Sequence, residues 1–113
     1  MGPELQSVIA SDGEFPEKVL ISWDSLVNAT EYKIFRSVAS DPNAAVELDV
    51  VDELELSYDD ATAVPGTVYN YWVKGSNVGS ESAFSSSDDG FIEDTASFYV
   101  IKAKNGNVIV FSL

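Results

Sequence analysis

Apolar residues recur along this chain at every second position over short stretches, with turn-forming residues between them, and the 3.6-residue period of an amphipathic helix is weak throughout. Residues 18–24 alternate cleanly and set Val19, Ile21 and Trp23 on one face. Residues 31–37 set Tyr32 and Ile34 on one face and Lys33 and Phe35 on the other. The strongest pattern covers residues 68–76, with Tyr69, Tyr71 and Val73 directed inward and Val68, Asn70, Trp72 and Lys74 outward. Weaker strands are expected over residues 5–10, 46–51, 54–58 and 83–92. The punctuation is Ser11-Asp12-Gly13, Asp41-Pro42-Asn43, Val64-Pro65-Gly66-Thr67 and residues 77–80. Seven short strands with a turn about every ten residues argue for an all-β sandwich.

Composition narrows the function without naming it. A length of 113 residues suits one domain, and 45% apolar with 22% charged residues is ordinary for a globular chain. The chain has neither cysteine nor histidine, which removes thiol chemistry, cysteine- or histidine-bound zinc and the commonest general base. Paired carboxylates are the remaining chemistry, and a small sandwich offers no obvious cleft across which two could face each other. The expectation is a protein that is not an enzyme and carries no cofactor. A net charge of −13 repels phosphate backbones and anionic membranes, so neither nucleic-acid binding nor membrane insertion is expected. No apolar run reaches the length of a membrane span. Met1-Gly2-Pro3 lacks the basic and apolar regions of a signal peptide and reads as the start of an excised fragment of a longer protein.

The ordered elements are Val19-x-Ile21-x-Trp23, Tyr32-x-Ile34-x-Arg36-Ser37, Ser57-Tyr58-Asp59-Asp60 and Pro65-Gly66-Thr67-x-Tyr69-x-Tyr71-x-Val73-x-Gly75, followed by Gly79, Ser82 and Ser85. In this order and spacing the chain resembles the fibronectin type III family, in the form common in bacterial secreted and surface proteins. The resemblance spans residues 4–93 and implies a seven-stranded Greek-key sandwich. It also implies a tyrosine corner at Tyr69, its hydroxyl bonded to nearby backbone. An extracellular or cell-surface location follows from the resemblance alone. So does the role of a spacer or protein-interaction module in a larger protein. Integrin-binding members carry Arg-Gly-Asp before the last strand, where this chain reads Asn77-Val78-Gly79-Ser80-Glu81-Ser82, so that activity is not implied.

Residues 95–113 extend beyond the resemblance and read as a β-hairpin around Asn105-Gly106, a strong two-residue turn signal. Pairing Lys104 with Asn107 would put Val100 opposite Phe111 and Phe98 opposite Leu113. Ile101, Val108 and Val110 would then lie on the other face, so both faces are apolar. A lone hairpin is marginal in water, and leaving one apolar face wet forfeits several kcal/mol at roughly 1.5 to 3 per large side chain. Three covers are open: the chain's own sandwich, the same hairpin in a second copy as a homo-oligomer, or a following domain or C-terminal anchoring module; as an assembly unit, the hairpin would donate a strand to a neighbour. All 19 acids lie in residues 1–94, whereas the tail holds Lys102 and Lys104 and no acid.

Phe35 and Trp72 are expected side by side on an outer face, flanked by Lys33 and Lys74, as a shelf able to stack a sugar ring or a strip of protein. The alternatives are that the rings lie under the tail hairpin or only stabilise the sheet as cross-strand pairs. The acid groups Asp49/Asp52/Glu53/Glu55, Asp59/Asp60 and Asp88/Asp89/Asp94 match no calcium-loop pattern and read as solvated surface. Asn28-Ala29-Thr30 is a formal glycosylation sequon on an expected loop. The partner is therefore a protein or a glycan.

Overall fold

Strands form where the alternation is cleanest, because the pleat sends successive side chains to opposite faces and one face of each strand is apolar. A computed structural model describes residues 7–94, 98–102, 106 and 108–112. Its strands are β1 (Val8–Ala10), β2 (Val19–Trp23), β3 (Glu31–Ser37), β4 (Val46–Asp52), β5 (Ser57–Asp60), β6 (Tyr69–Asn77), β7 (Ser80–Glu81), β8 (Asp88–Gly90), β9 (Phe98–Lys102) and β10 (Val108–Ser112).

One sheet has the order β1-β2-β5, and the other the order β4-β3-β6-β7 with β8 also paired to β6; every ladder is antiparallel. Between them Val19, Ile21 and Trp23 of β2 meet Tyr32 and Ile34 of β3 and Tyr69, Tyr71 and Val73 of β6. The inward sets read from the sequence are thus the core. Isolated parallel bridges, Ser7 to Ser86 and Asp12 to Phe91, join the two sheets along one side. There Gly90 lies so close to β1 and β2 that a β-carbon would sit 2.7 Å from that of Ala10 and 2.9 Å from the Ser11 carbonyl oxygen.

Three expectations need correction. The fifth strand covers Ser57–Asp60 and not residues 54–58. Leu54, Leu56 and Tyr58 alternate, but the residues paired with Ile21 and Val19 of β2 are Tyr58 and Asp60. A charged residue occupies an inward position, so apolar alternation misplaced the strand. The last strand is not continuous over residues 83–92 but is broken into β7 and β8. Between them the Ser82 and Ser85 N–H groups donate to the Gly75 and Val73 carbonyls, at 2.9 Å each. Their hydroxyls accept from the Gly75 and Val73 N–H groups, at 3.0 Å each. Two serine side chains thus stand in for the backbone acceptors of a regular ladder.

The third correction is the hairpin register. Val100 pairs with Val110, Tyr99 with Phe111 and Phe98 with Ser112, one residue away from the expected pairing. Lys102 opposite Val108 leaves an odd number of residues in the loop, and Gly106 has φ +89°. Longer hairpin loops that use a left-handed glycine suit that register, whereas a two-residue Asn-Gly turn does not. β9 and β10 form a two-stranded sheet that shares no ladder with another described strand. Lys104 and Asn107 lie outside the described residues, as does Leu113.

Candidate functional site

Register places Phe35 opposite Trp72 and Lys33 opposite Lys74 on the outer face of the β4-β3-β6 sheet, so the four residues of the expected shelf are together. They do not form an open shelf. Trp72 is only 3% exposed, because Phe84 from the irregular segment between β7 and β8 covers it. The Phe84 ring stands 6.4 Å from Trp72 and 5.0 Å from Phe35, edge-on to both. Lys74 Nζ lies 4.1 Å from the Phe84 ring centre and 5.7 Å from that of Phe35. Lys33 Nζ donates to Glu81 at 2.6 Å, and that bond raises the lysine pKa and lowers the glutamate's. What remains open is the half-buried pair Phe35 and Phe84 beside Lys74. Phe84 was not among the sequence candidates, since a continuous last strand would not have carried it over the sheet.

The sequence reading also missed a buried charge network. Asp60 is 1% exposed and accepts at Oδ2 from Arg36 Nη1 and from the Tyr71 hydroxyl, both at 2.8 Å. Its Oδ1 accepts from the Thr62 hydroxyl at 2.6 Å and the Thr62 N–H at 3.0 Å. Arg36 lies over the Tyr69 ring at 4.5 Å and donates to Thr62 Oγ1 at 2.9 Å. Burial alone would push the Asp60 carboxyl up, but bonds from Thr62, Tyr71 and Arg36 outweigh it and hold the group below the ordinary carboxylate range. Burial, then the bond to Asp60, pushes the Tyr71 hydroxyl well up. A signal for this was present: Arg36 continues the inward phase of Tyr32 and Ile34, and an inward arginine needs an acid. The network crosses from β5 to β3 and β6, so it pins the two sheets together. The expected tyrosine corner is formed separately, with the Val64 N–H donating to the Tyr69 hydroxyl at 3.1 Å.

The other acids divide between structure and surface. Asp59 pairs with Lys18 at 3.1 Å, and Asp88 accepts from the Ala10 N–H at 2.8 Å. Asp12 joins Asp88, Asp89 and Glu14, and its carboxyl is raised first by burial and then by those three charges. Asp49, Asp52, Glu53, Glu55 and Asp94 are exposed. Among the described residues, no three histidine, cysteine or acidic side chains converge as metal ligands, and no helix is long and apolar enough to cross a membrane. Asn28 of the sequon is exposed on a turn, with φ +70°. Of the hairpin candidates, Phe98, Val100 and Ile101 lie on β9, and Val108, Val110 and Phe111 on β10.

The two-sheet order, the bridged side and the tyrosine corner define a known topology, and solved structures share it. An Fn3-like protein from Clostridium thermocellum superposes with a TM-score of 0.70 at 19% identity, over 81% of this chain and 94% of that one. The fold is fibronectin type III-like. The same sandwich occurs inside longer chains. Pectate lyase PelI from Erwinia chrysanthemi, in complex with tetragalacturonic acid, matches at TM-score 0.65 and 19% identity, over 74% of this chain but 27% of its own. A β-1,2-glucanase from Parabacteroides distasonis matches at TM-score 0.62 and 22% identity, over 80% of this chain and 12% of its own. No family model and no curated protein matches the chain. Identities this low carry the fold and nothing about activity.

Proposed function

We propose that this fibronectin type III-like sandwich is a non-catalytic spacer or protein-interaction module of a larger extracellular or cell-surface protein. The observation that carries the reading is the size of the match: the sandwich makes up about a quarter of a pectate lyase and an eighth of a glucanase, but nearly all of an Fn3-like protein. The chemistry of the site agrees. Asp60, the most deeply buried carboxylate among the described residues, spends both oxygens on partners within the fold. A carboxylate so engaged holds strands in place and is not free to move a proton.

The test is direct. The purified chain, incubated with polygalacturonate and with β-1,2-glucan, is expected to release no unsaturated or reducing ends above a blank. Release that follows the chain through purification would overturn the reading. A glycan-stacking role is weaker than the sequence suggested, because Trp72 is covered. It survives only through Phe35 and Phe84, and a glycan panel read by tryptophan fluorescence tests it with and without Phe84→Ala.

A further inference from the structure

A strand at the border of a sheet presents backbone N–H and C=O groups with no neighbour, a template for one more strand. The borders of this sandwich are unequal. On one side, Ser7 and Asp12, which flank β1, bridge to Ser86 and Phe91, which flank β8. On the other side β5, of four residues, borders one sheet and β4, of seven, borders the other. β1 and β8 have three residues each and β7 has two. Among the described borders only β4 can therefore pair along the whole of a five-residue strand. Its Val50 N–H donates at 2.7 Å to the exposed Asp49 carboxylate beside it, where a neighbouring strand would offer a carbonyl.

The β4 border is also selective. Glu47, Asp49 and Asp52 are exposed and form no ion pair among the described residues. Leu48 is an extra residue set against the step from Ile34 to Phe35 in β3. Acids and a bulge keep a border from pairing with its own kind, since two β4 strands side by side would bring like charges together. A strand that carries lysine and no acid escapes that repulsion. β9 is such a strand: it ends at Lys102, and residues 95–113 hold two lysines and no acid, whereas β10 carries no charge. Among the described strands β9 pairs only with β10, so its other border is open.

Chain direction favours a partner copy. Asp94 lies against Gly66, just before β6 begins. β3 is antiparallel to β6 and β4 antiparallel to β3, so β4 begins at the same end as β6. Residues 95–97 reach only about 10 Å, so β9 also begins near that end. Beside its own β4 it would have to run parallel, the weaker pairing per residue, whereas a second copy can meet it antiparallel.

We propose that β9 of one copy adds to the β4 border of a second copy as an antiparallel strand, extending that sheet by the β9–β10 hairpin. This deepens the interaction-module reading and rests on it.

The experiment is light-scattering mass over a dilution series for four full-length chains. They are the parent, the border variant Glu47→Lys/Asp49→Lys, the tail variant Lys102→Glu/Lys104→Glu, and a chain carrying all four changes. The mass of the parent is expected to rise above that of a monomer with concentration. Each double variant sets like charges against each other and is expected to associate on the order of tenfold more weakly. The four-change chain reverses both sides and is expected to associate like the parent, which also shows that the altered border still folds. Amide hydrogen exchange over Val46–Asp52 is expected to slow as the parent is concentrated and to stay constant in the border variant. A parent that stays monomeric overturns the proposal, as does a border variant that associates like the parent. So does a four-change chain that associates no better than the double variants, or β4 exchange that ignores concentration. A monomeric parent that also degrades neither polymer would remove the strand contact and leave the module reading intact. Turnover of either polymer would remove the module reading itself.

Discussion

Asp60 accepts four hydrogen bonds inside the sandwich, and its loss would leave the Arg36 guanidinium without its carboxylate and the Tyr71 hydroxyl without its acceptor. Removing one member of a buried pair costs about 3 to 5 kcal/mol, so Asp60→Ala is expected to lower the urea-derived stability by that order. Protonation probes the same residue. Because the folded-state pKa of Asp60 lies below its unfolded value, its contribution is full above the ordinary carboxylate range. It is lost as pH falls through the folded value. Acid titration of stability is therefore expected to be shallower in Asp60→Asn than in the parent, and identical titration curves would refute the assignment. Tyr69→Phe removes only the bond from the Val64 N–H and is expected to cost about 1 kcal/mol in the same assay. At this scale the sequence was half legible. The tyrosine corner was named from its motif, but Asp60 stood in an Asp-Asp pair that resembles any exposed turn. Only the inward phase of Arg36 hinted at a buried acid.

The strands β2, β3 and β6 were readable because their inward faces are uniformly apolar or aromatic. The broken last strand was not. Its serines are polar by composition, yet Ser82 and Ser85 are buried and act as backbone substitutes for β6. Ser82→Ala with Ser85→Ala leaves the Gly75 and Val73 N–H groups short of an acceptor. The expected loss is about 1 to 3 kcal/mol for each, seen as a lower denaturation midpoint. The same break carries Phe84 over Trp72, which no alternation rule anticipates. Phe84→Ala is expected to expose Trp72, shifting tryptophan emission to the red and raising iodide quenching; unchanged quenching would contradict the cover. In the hairpin, the Asn105-Gly106 signal located the turn region but not the register, since one residue more or less in the loop shifts the pairing.

For the whole molecule, the alternation and the turn residues anticipated an all-β sandwich, and the fold agrees with the resemblance carried by the motifs. Among the described residues the buried cluster runs from Val8 to Ile92, and β9 and β10 share no ladder with another described strand. The module reading proposed above therefore expects the sandwich to fold without residues 95–113. Urea unfolding of the chain ending at Asp94, compared with the full chain under dilute conditions where both are monomeric, tests this most directly. The account predicts a cooperative transition with the same midpoint in both. A shortened chain that is unfolded, or that melts at markedly lower urea, would show that the hairpin belongs to the sandwich's own core and would contradict it.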